Sequence, residues 1–137
     1  MEESVSNLLT HSRLATYRKC ARREWHSYVE GWRAVVDGDA LLDGALWHRG
    51  MEALWLAMRD GGDALDAALA AVGGRARDEW AQIRIEELLC GYHARWSGQT
   101  YRILDVEREF RTPLINPETF AASRTWRLAG KIDANIL

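Results

Sequence analysis

The sequence predicts an α/β fold: a mainly helical first hundred residues, followed by the first strands of a mixed sheet. Two observations carry this. Up to about Trp96 the apolar residues recur at steps of three and four, the spacing of one helix face. From Tyr101 onward apolar and polar residues alternate instead, the period of a strand.

The chain has 137 residues, 47% of them hydrophobic, which is one domain's worth with enough apolar material for a core. Seven Trp and a charged fraction of 28% exclude disordered, low-complexity and collagen-like classes. Uncharged apolar stretches fall far short of the roughly 20 residues of a membrane span. Met1-Glu2-Glu3-Ser4 is acidic and has no apolar signal region, so a soluble, cytoplasmic protein is expected. Cys20 and Cys90 are too few for a disulfide framework and are expected to be buried thiols.

The elements follow in order. Ser12 is expected to cap a first helix with Leu14, Tyr17 and Cys20 on its apolar edge, ending at Gly31. A long helix follows over about Asp39 to Arg59, in which Leu41, Ala45, His48, Glu52 and Trp55 share one face. Asp60-Gly61-Gly62 stops it. Asp63 caps an Ala-rich helix through Val72, closed by Gly73-Gly74. Another helix is expected from about Arg75 to Trp96, with Trp80, Ile83, Tyr92 and Trp96 in the core. Tyr101 to Leu114 reads as a strand ended by Pro113, Asn116-Pro117-Glu118 as a turn, and Thr125 to Leu137 as a second strand. Two strands make a marginal sheet with exposed edges. The expectation is an incomplete domain, either the front part of a larger one or one whose missing strands a partner supplies.

Charge is patterned along the chain. Residues 11–34 carry six cations (Arg13, Arg18, Lys19, Arg22, Arg23 and Arg33) against Glu24 and Glu30. Residues 35–66 carry seven acids against Arg49 and Arg59. A basic segment beside an acidic one suits phosphate contacts at one place and cation binding at another, or a mixed solvated surface.

Two residues stand out chemically. His48 lies mid-helix, one turn after Gly44, and a glycine there costs ~1 kcal/mol of helix propensity unless a neighbouring backbone needs the room. It reads as a metal ligand or as an ordinary hydrogen-bonded boundary histidine. Asp133 interrupts the β-forming run Leu128-Ala129-Gly130-Lys131-Ile132, so it must be paired, hydrated or metal-bound. Glu107 shares its strand face with Asp105 and Glu109, which by itself reads as a solvated acidic face.

Four segments together resemble a known family. Ser12-Arg13-Leu14-Ala15-Thr16-Tyr17-Arg18-Lys19-Cys20, with Arg22-Arg23-Glu24-Trp25 and Tyr28 to Gly31, is similar to the opening of RecB-family nucleases of the PD-(D/E)XK superfamily. Gly44 to His48 resembles their G-x-x-x-H motif, and Val106-Glu107-Arg108-Glu109-Phe110 their glutamate-bearing strand. Gly130-Lys131-Ile132-Asp133 resembles the strand that carries their first catalytic acid. The order of these landmarks matches the family's, from Ser12 to Asp133. Three features depart from it: Ala21 replaces a proline, and neither the (D/E)-x-K element nor the later Q-x-x-x-Y helix lies within the 137 residues.

The resemblance implies a restriction-endonuclease-like core and metal-dependent hydrolysis of DNA phosphodiesters. Asp133 and Glu107 would be catalytic acids, His48 and Asp133 ligands of Mg2+ or Mn2+, and Arg13, Arg18, Lys19, Arg22 and Arg23 phosphate contacts. Some relatives hold a 4Fe-4S cluster through four cysteines; Cys20 matches the first, and the other three are not here, so no cluster is expected in this chain. DNA is the implied partner, with a helicase or a CRISPR-adaptation protein as possible associates. Without the (D/E)-x-K element the chain alone is expected to be inactive. The competing reading is a non-catalytic helical module that binds DNA or protein.

Overall fold

The computed structural model describes residues 7–137, so the acidic segment Met1 to Ser4 lies outside the described residues. The chain divides into two units, one holding residues 7–35 and 109–131, the other 36–108 and 132–137.

In the first unit, β1 (Leu8–Leu9) precedes α1 (His11–Lys19). Thr10, not Ser12, is the N-cap: its hydroxyl accepts from the Arg13 N–H at 3.2 Å. The first helix is also not continuous. Cys20 is extended (φ −164°) and exposed, and it separates α1 from α2 (Ala21–Glu24). A π-helical turn follows over Trp25–Val29, closed by Glu30 N–H to the Trp25 carbonyl at 3.0 Å. Leu14 and Tyr17 stay exposed, because the helix buries Arg13 instead of the apolar edge the sequence offered.

The sheet has the order β1-β3-β2, with β2 at Ile103–Ile115 and β3 at Ala122–Ile136. β1 runs parallel to β3, Leu8 opposite Arg127 and Leu9 opposite Leu128. The expected two-stranded sheet therefore has a third strand, drawn from the front of the chain and too short to show alternation. At the hairpin turn Asn116 N–H donates to the Ala121 carbonyl at 3.0 Å, and at the open end Arg102 and Leu137 exchange both bonds at 2.9 Å. The Asn116 side chain accepts from the Glu118 and Thr119 amides at 2.8 and 3.2 Å, fixing the turn. Pro113 does not end β2. The strand runs to Ile115, and β2 is last in the sheet order, where a missing N–H is tolerated. A Cβ on Gly130 would lie 2.8 Å from the Phe110 ring, so only glycine leaves room for that aromatic across the hairpin.

The second unit is built on α3 (Asp39–Asp60), α4 (Ala64–Val72) and α5 (Glu79–Trp96). Gly61 at φ 77° terminates α3, and the Asp63 carboxylate caps α4 through the Asp66 amide at 2.9 Å. α5 begins at Glu79 rather than Arg75, because Asp78 is its cap and accepts from Ala81 N–H at 2.7 Å. Met51, Leu54, Ala64, Ala68, Val72, Ile85 and Leu89 form one buried cluster. Trp80 is 81% exposed and Ile83 is also exposed; the face of α5 that packs is Ala81, Ile85 and Leu89, one helical step away. The close approach assigned to Gly44 belongs to Gly50. Nothing lies within 4 Å of a Cβ at Gly44, whereas one at Gly50 would meet Leu89 Cδ1 at 2.8 Å.

Leu54 is 1% exposed at the centre of this cluster. Leu54→Ala is expected to cost about 2–5 kcal/mol, read as a lower urea midpoint at unchanged slope.

The acidic segment is partly neutralised within its own unit. Asp43 pairs with Arg84 and, at 3.4 Å, with Arg77, which also reaches Asp39 at 3.3 Å. Both arginines come from the α5 region, so these two acids serve to tie helices together.

Candidate metal centre

His48 projects from the middle of α3, and its Nδ1 lies 3.7 Å from Oδ1 of Asp133 in the C-terminal part of β3. Both side chains are about half exposed, at 56% and 54%. α3 buries Gly50, Met51 and Leu54 among the helices, and His48 lies off that face. The helix thus offers an imidazole to the strand while its core side holds it in place.

Glu107 completes the group. One donor atom each from His48, Glu107 and Asp133 lies within 4.8 Å of the others. Strand alternation alone put Glu107 on a common face with Asp105 and Glu109; its backbone breaks that pattern. Glu107 has φ 54°, a left-handed conformation that a glutamate in a strand rarely adopts and that re-aims the side chain. Asp105 is engaged elsewhere, accepting from Arg108 at 2.6 Å.

These donors fit a divalent cation. Ligand bonds of about 2.0–2.6 Å let one ion join oxygen or nitrogen atoms up to about 5 Å apart. Two carboxylates with one imidazole suit a divalent ion that takes oxygen and nitrogen ligands, and three protein ligands would leave further positions for water or substrate. Placing two acids beside a histidine without an ion would be repulsive between the carboxylates, which gives the cluster its affinity for positive charge.

The basic residues divide. Arg18, Lys19, Arg22 and Arg23 are exposed on α1 and α2. Arg13, expected as a phosphate contact, is 5% exposed and structural. Its Nε donates to Glu24 Oε1 at 2.6 Å and its Nη1 to the Leu8 carbonyl at 3.1 Å. The guanidinium also lies 5.6 Å from the Tyr28 ring centre and 5.5 Å from that of Trp126. A solvated phosphate cannot replace these partners without breaking the packing of this unit. Nearby, the Glu30 carboxyl is held below its usual range, chiefly by its hydrogen bond to His26 at 2.5 Å.

Sequence reasoning missed a cavity of about 610 Å3 that shares Asp133 with this cluster. Trp55, Tyr92, Trp96 and Tyr101 line it, with Gln99, Ala134 and Ile136. Tyr92 and Trp96 are one turn apart on α5, and their ring centres are 6.5 Å apart. Burial raises the Tyr101 phenol above its usual pKa, and the neighbouring Tyr92 adds to the shift. Helical spacing made Tyr92 and Trp96 core candidates; the sequence gives no sign that they line a cavity with residues of the strand end.

Comparison with known proteins now bears on the fold and the site. The family model of the PD-(D/E)XK nuclease superfamily matches residues 8–136. The chain belongs to that superfamily. Its helices and three-stranded mixed sheet accord with a restriction-endonuclease-like fold, and membership of the superfamily suggests a nuclease, whose superfamily members typically use divalent metals. Searches of curated proteins and of solved structures gave no match. Among the described residues no helix is long and apolar enough to cross a membrane.

Proposed function

We propose that this chain is the metal-holding part of a RecB-like, exonuclease-type domain that hydrolyses DNA phosphodiesters, with Mg2+ or Mn2+ as its ion. The observation that carries the reading is the convergence of His48, Glu107 and Asp133 donors within 4.8 Å. His48 and Asp133 hold the ion, and Glu107 is the supporting acid. When bound, the ion supplies charge for the phosphoryl oxygens and lowers the pKa of water. The chain's own residues fix the position of that charge, and Arg18, Lys19, Arg22 and Arg23 hold DNA phosphates.

Residues 134–137 contain no (D/E)-x-K pattern. In this reading catalysis also requires a second acid and a lysine, and the domain works in the cytoplasm with a helicase or CRISPR-adaptation partner. The 137 residues alone then cleave little or nothing, whereas a form carrying the (D/E)-x-K element cleaves DNA with Mg2+ or Mn2+ and stops when EDTA removes it. Cleavage by that form in EDTA would refute the proposal. DNA binding without cleavage in any form would favour a non-catalytic module.

The phosphate contacts have their own test. Arg22 and Arg23 are adjacent on a helix, so they point about 100° apart and do not serve one surface equally. The Arg22→Ala, Arg23→Ala double variant is expected to lower the log–log salt slope of duplex binding by about 0.9, one contact rather than two. An unchanged slope and affinity would make both arginines structural.

A further inference from the structure

We propose that the cavity between α3 and the segment leading into α5 is a binding site for a phosphate monoester, gripped by Arg49 and Arg75. The cavity holds about 380 Å3, within the roughly 300–1,000 Å3 of small-molecule sites. Its lining lies between residues 42 and 77 of the second unit, and none of it belongs to the metal cluster. The proposal therefore stands apart from the nuclease reading.

Charge pairing is the first argument. The lining carries three arginines, Arg49, Arg75 and Arg77, and a single carboxylate, Asp43. Both oxygens of Asp43 are taken: Oδ1 accepts from Arg77 Nε at 3.4 Å and Oδ2 from Arg84 Nη2. Arg77 is engaged further, its Nη1 lying 3.3 Å from Asp39 and 2.7 Å from Asp78. Among the described residues no hydrogen bond, ion pair or ring contact holds the side chain of Arg49 or of Arg75. The unit's other arginines are mostly engaged: Arg59 with Asp60, Arg108 with Asp105, and Arg95 over the Trp96 ring, with Arg102 the exception. Two unpaired arginines thus line one cavity whose only acid is occupied, an arrangement that attracts an anion.

The form of the anion follows from the donors. A guanidinium presents parallel N–H groups that match two oxygens of one phosphate, and two such forks call for more acceptor oxygens than a diester keeps free. A monoester keeps three terminal oxygens and carries about −1.5 to −2 charge at pH 7. Two fixed positive charges therefore favour the monoester over the singly charged diester. Leu42, Ala45, Leu46 and Ala76 form the rest of the wall, apolar surface that suits the organic group the phosphate carries. That group belongs either to the phosphorylated end of a nucleic acid or to a small phosphorylated molecule, and the chemistry at the arginines is the same.

The test is calorimetric titration of the 137-residue chain with methyl phosphate and with dimethyl phosphate, in EDTA so that no metal ion holds phosphate. Methyl phosphate is expected to bind at least about tenfold more tightly than the diester. Arg49→Gln and Arg75→Gln should each weaken methyl phosphate binding about tenfold or more, the loss of one charge-assisted contact. Arg59→Gln, on the same helix but paired with Asp60 outside the cavity, should leave it within about twofold. Arg49 and Arg75 are both exposed, and thermal melts of the variants separate lost binding from lost folding. An oligonucleotide with a 5′-phosphate, compared with its 5′-hydroxyl counterpart, separates the two sources. Tighter binding that Arg75→Gln abolishes marks a nucleic-acid end; equal binding beside intact methyl phosphate affinity marks a small phosphorylated molecule. Absence of methyl phosphate binding, equal affinity for the two esters, or unchanged affinity in both arginine variants overturns the site, and none of these results touches the metal centre.

Discussion

His48→Ala and Asp133→Ala are each expected to reduce Mn2+ affinity about 100-fold or more, and to remove most cleavage from a form that carries the (D/E)-x-K element. The argument is one of ligand count. The two donors stand 3.7 Å apart, and with Glu107 they provide one imidazole and two carboxylates. Even loss of an outer-shell partner typically costs 10- to 100-fold in metal affinity or activity, so loss of a direct ligand costs at least the upper end. Calorimetric titration with Mn2+ reads the first effect without requiring turnover. DNA binding should change little, since the exposed cations of α1 and α2 are untouched. Asp105→Ala is the control: it is a nearby acid paired with Arg108, and its removal should leave Mn2+ affinity within about twofold. Retention of full Mn2+ affinity in both His48→Ala and Asp133→Ala would remove the metal centre.

The second large effect is on stability. Arg13 and Glu24 form a buried ion pair at 2.6 Å, with side chains only 7% and 11% exposed. Removing one partner leaves the other charged and largely desolvated, and such losses cost about 3–5 kcal/mol. Arg13→Met and Glu24→Leu, made singly, should each lower the unfolding free energy by that amount, read as a lower urea midpoint at unchanged slope, and the double variant should recover much of it because no buried charge remains. Arg22→Ala, at an exposed position on α2, should stay within about 0.5 kcal/mol of the parent. A single Arg13 variant as stable as the parent would show that this arginine is not the anchor of its unit.

Much of the site was legible because it depends on local pattern. The helix bearing His48 follows from steps of three and four bounded by Gly38 and Gly61, and the strand bearing Asp133 from alternation. An aspartate in a β-forming run is a costly placement, and such a cost shows in one dimension. The hydrogen bonds that cap α4 and α5 are likewise local, three residues long. Asp63 was readable for that reason. Asp78 was not, because the Arg75 to Asp78 run is itself compatible with a helix.

The rest depended on contacts between distant positions. Nothing in the sequence distinguishes Arg13 from Arg18 or Arg22, since the difference is a carboxylate eleven residues away and two rings from other elements. Gly44 and Gly50 look alike on one helix, and only the position of Leu89 makes the second the close approach. β1 is two residues long and is defined by its pairing with Arg127 and Leu128. Alternation by itself puts Glu107 on a solvated face, because it is a rule about regular strands, and the left-handed backbone of Glu107 is the exception. Local sequence determined which elements form and which residues bear unusual chemistry. Tertiary structure decided which of those residues meet, because a hydrogen bond, an ion pair or a shared metal ion acts over a few ångströms of space, whatever the separation along the chain.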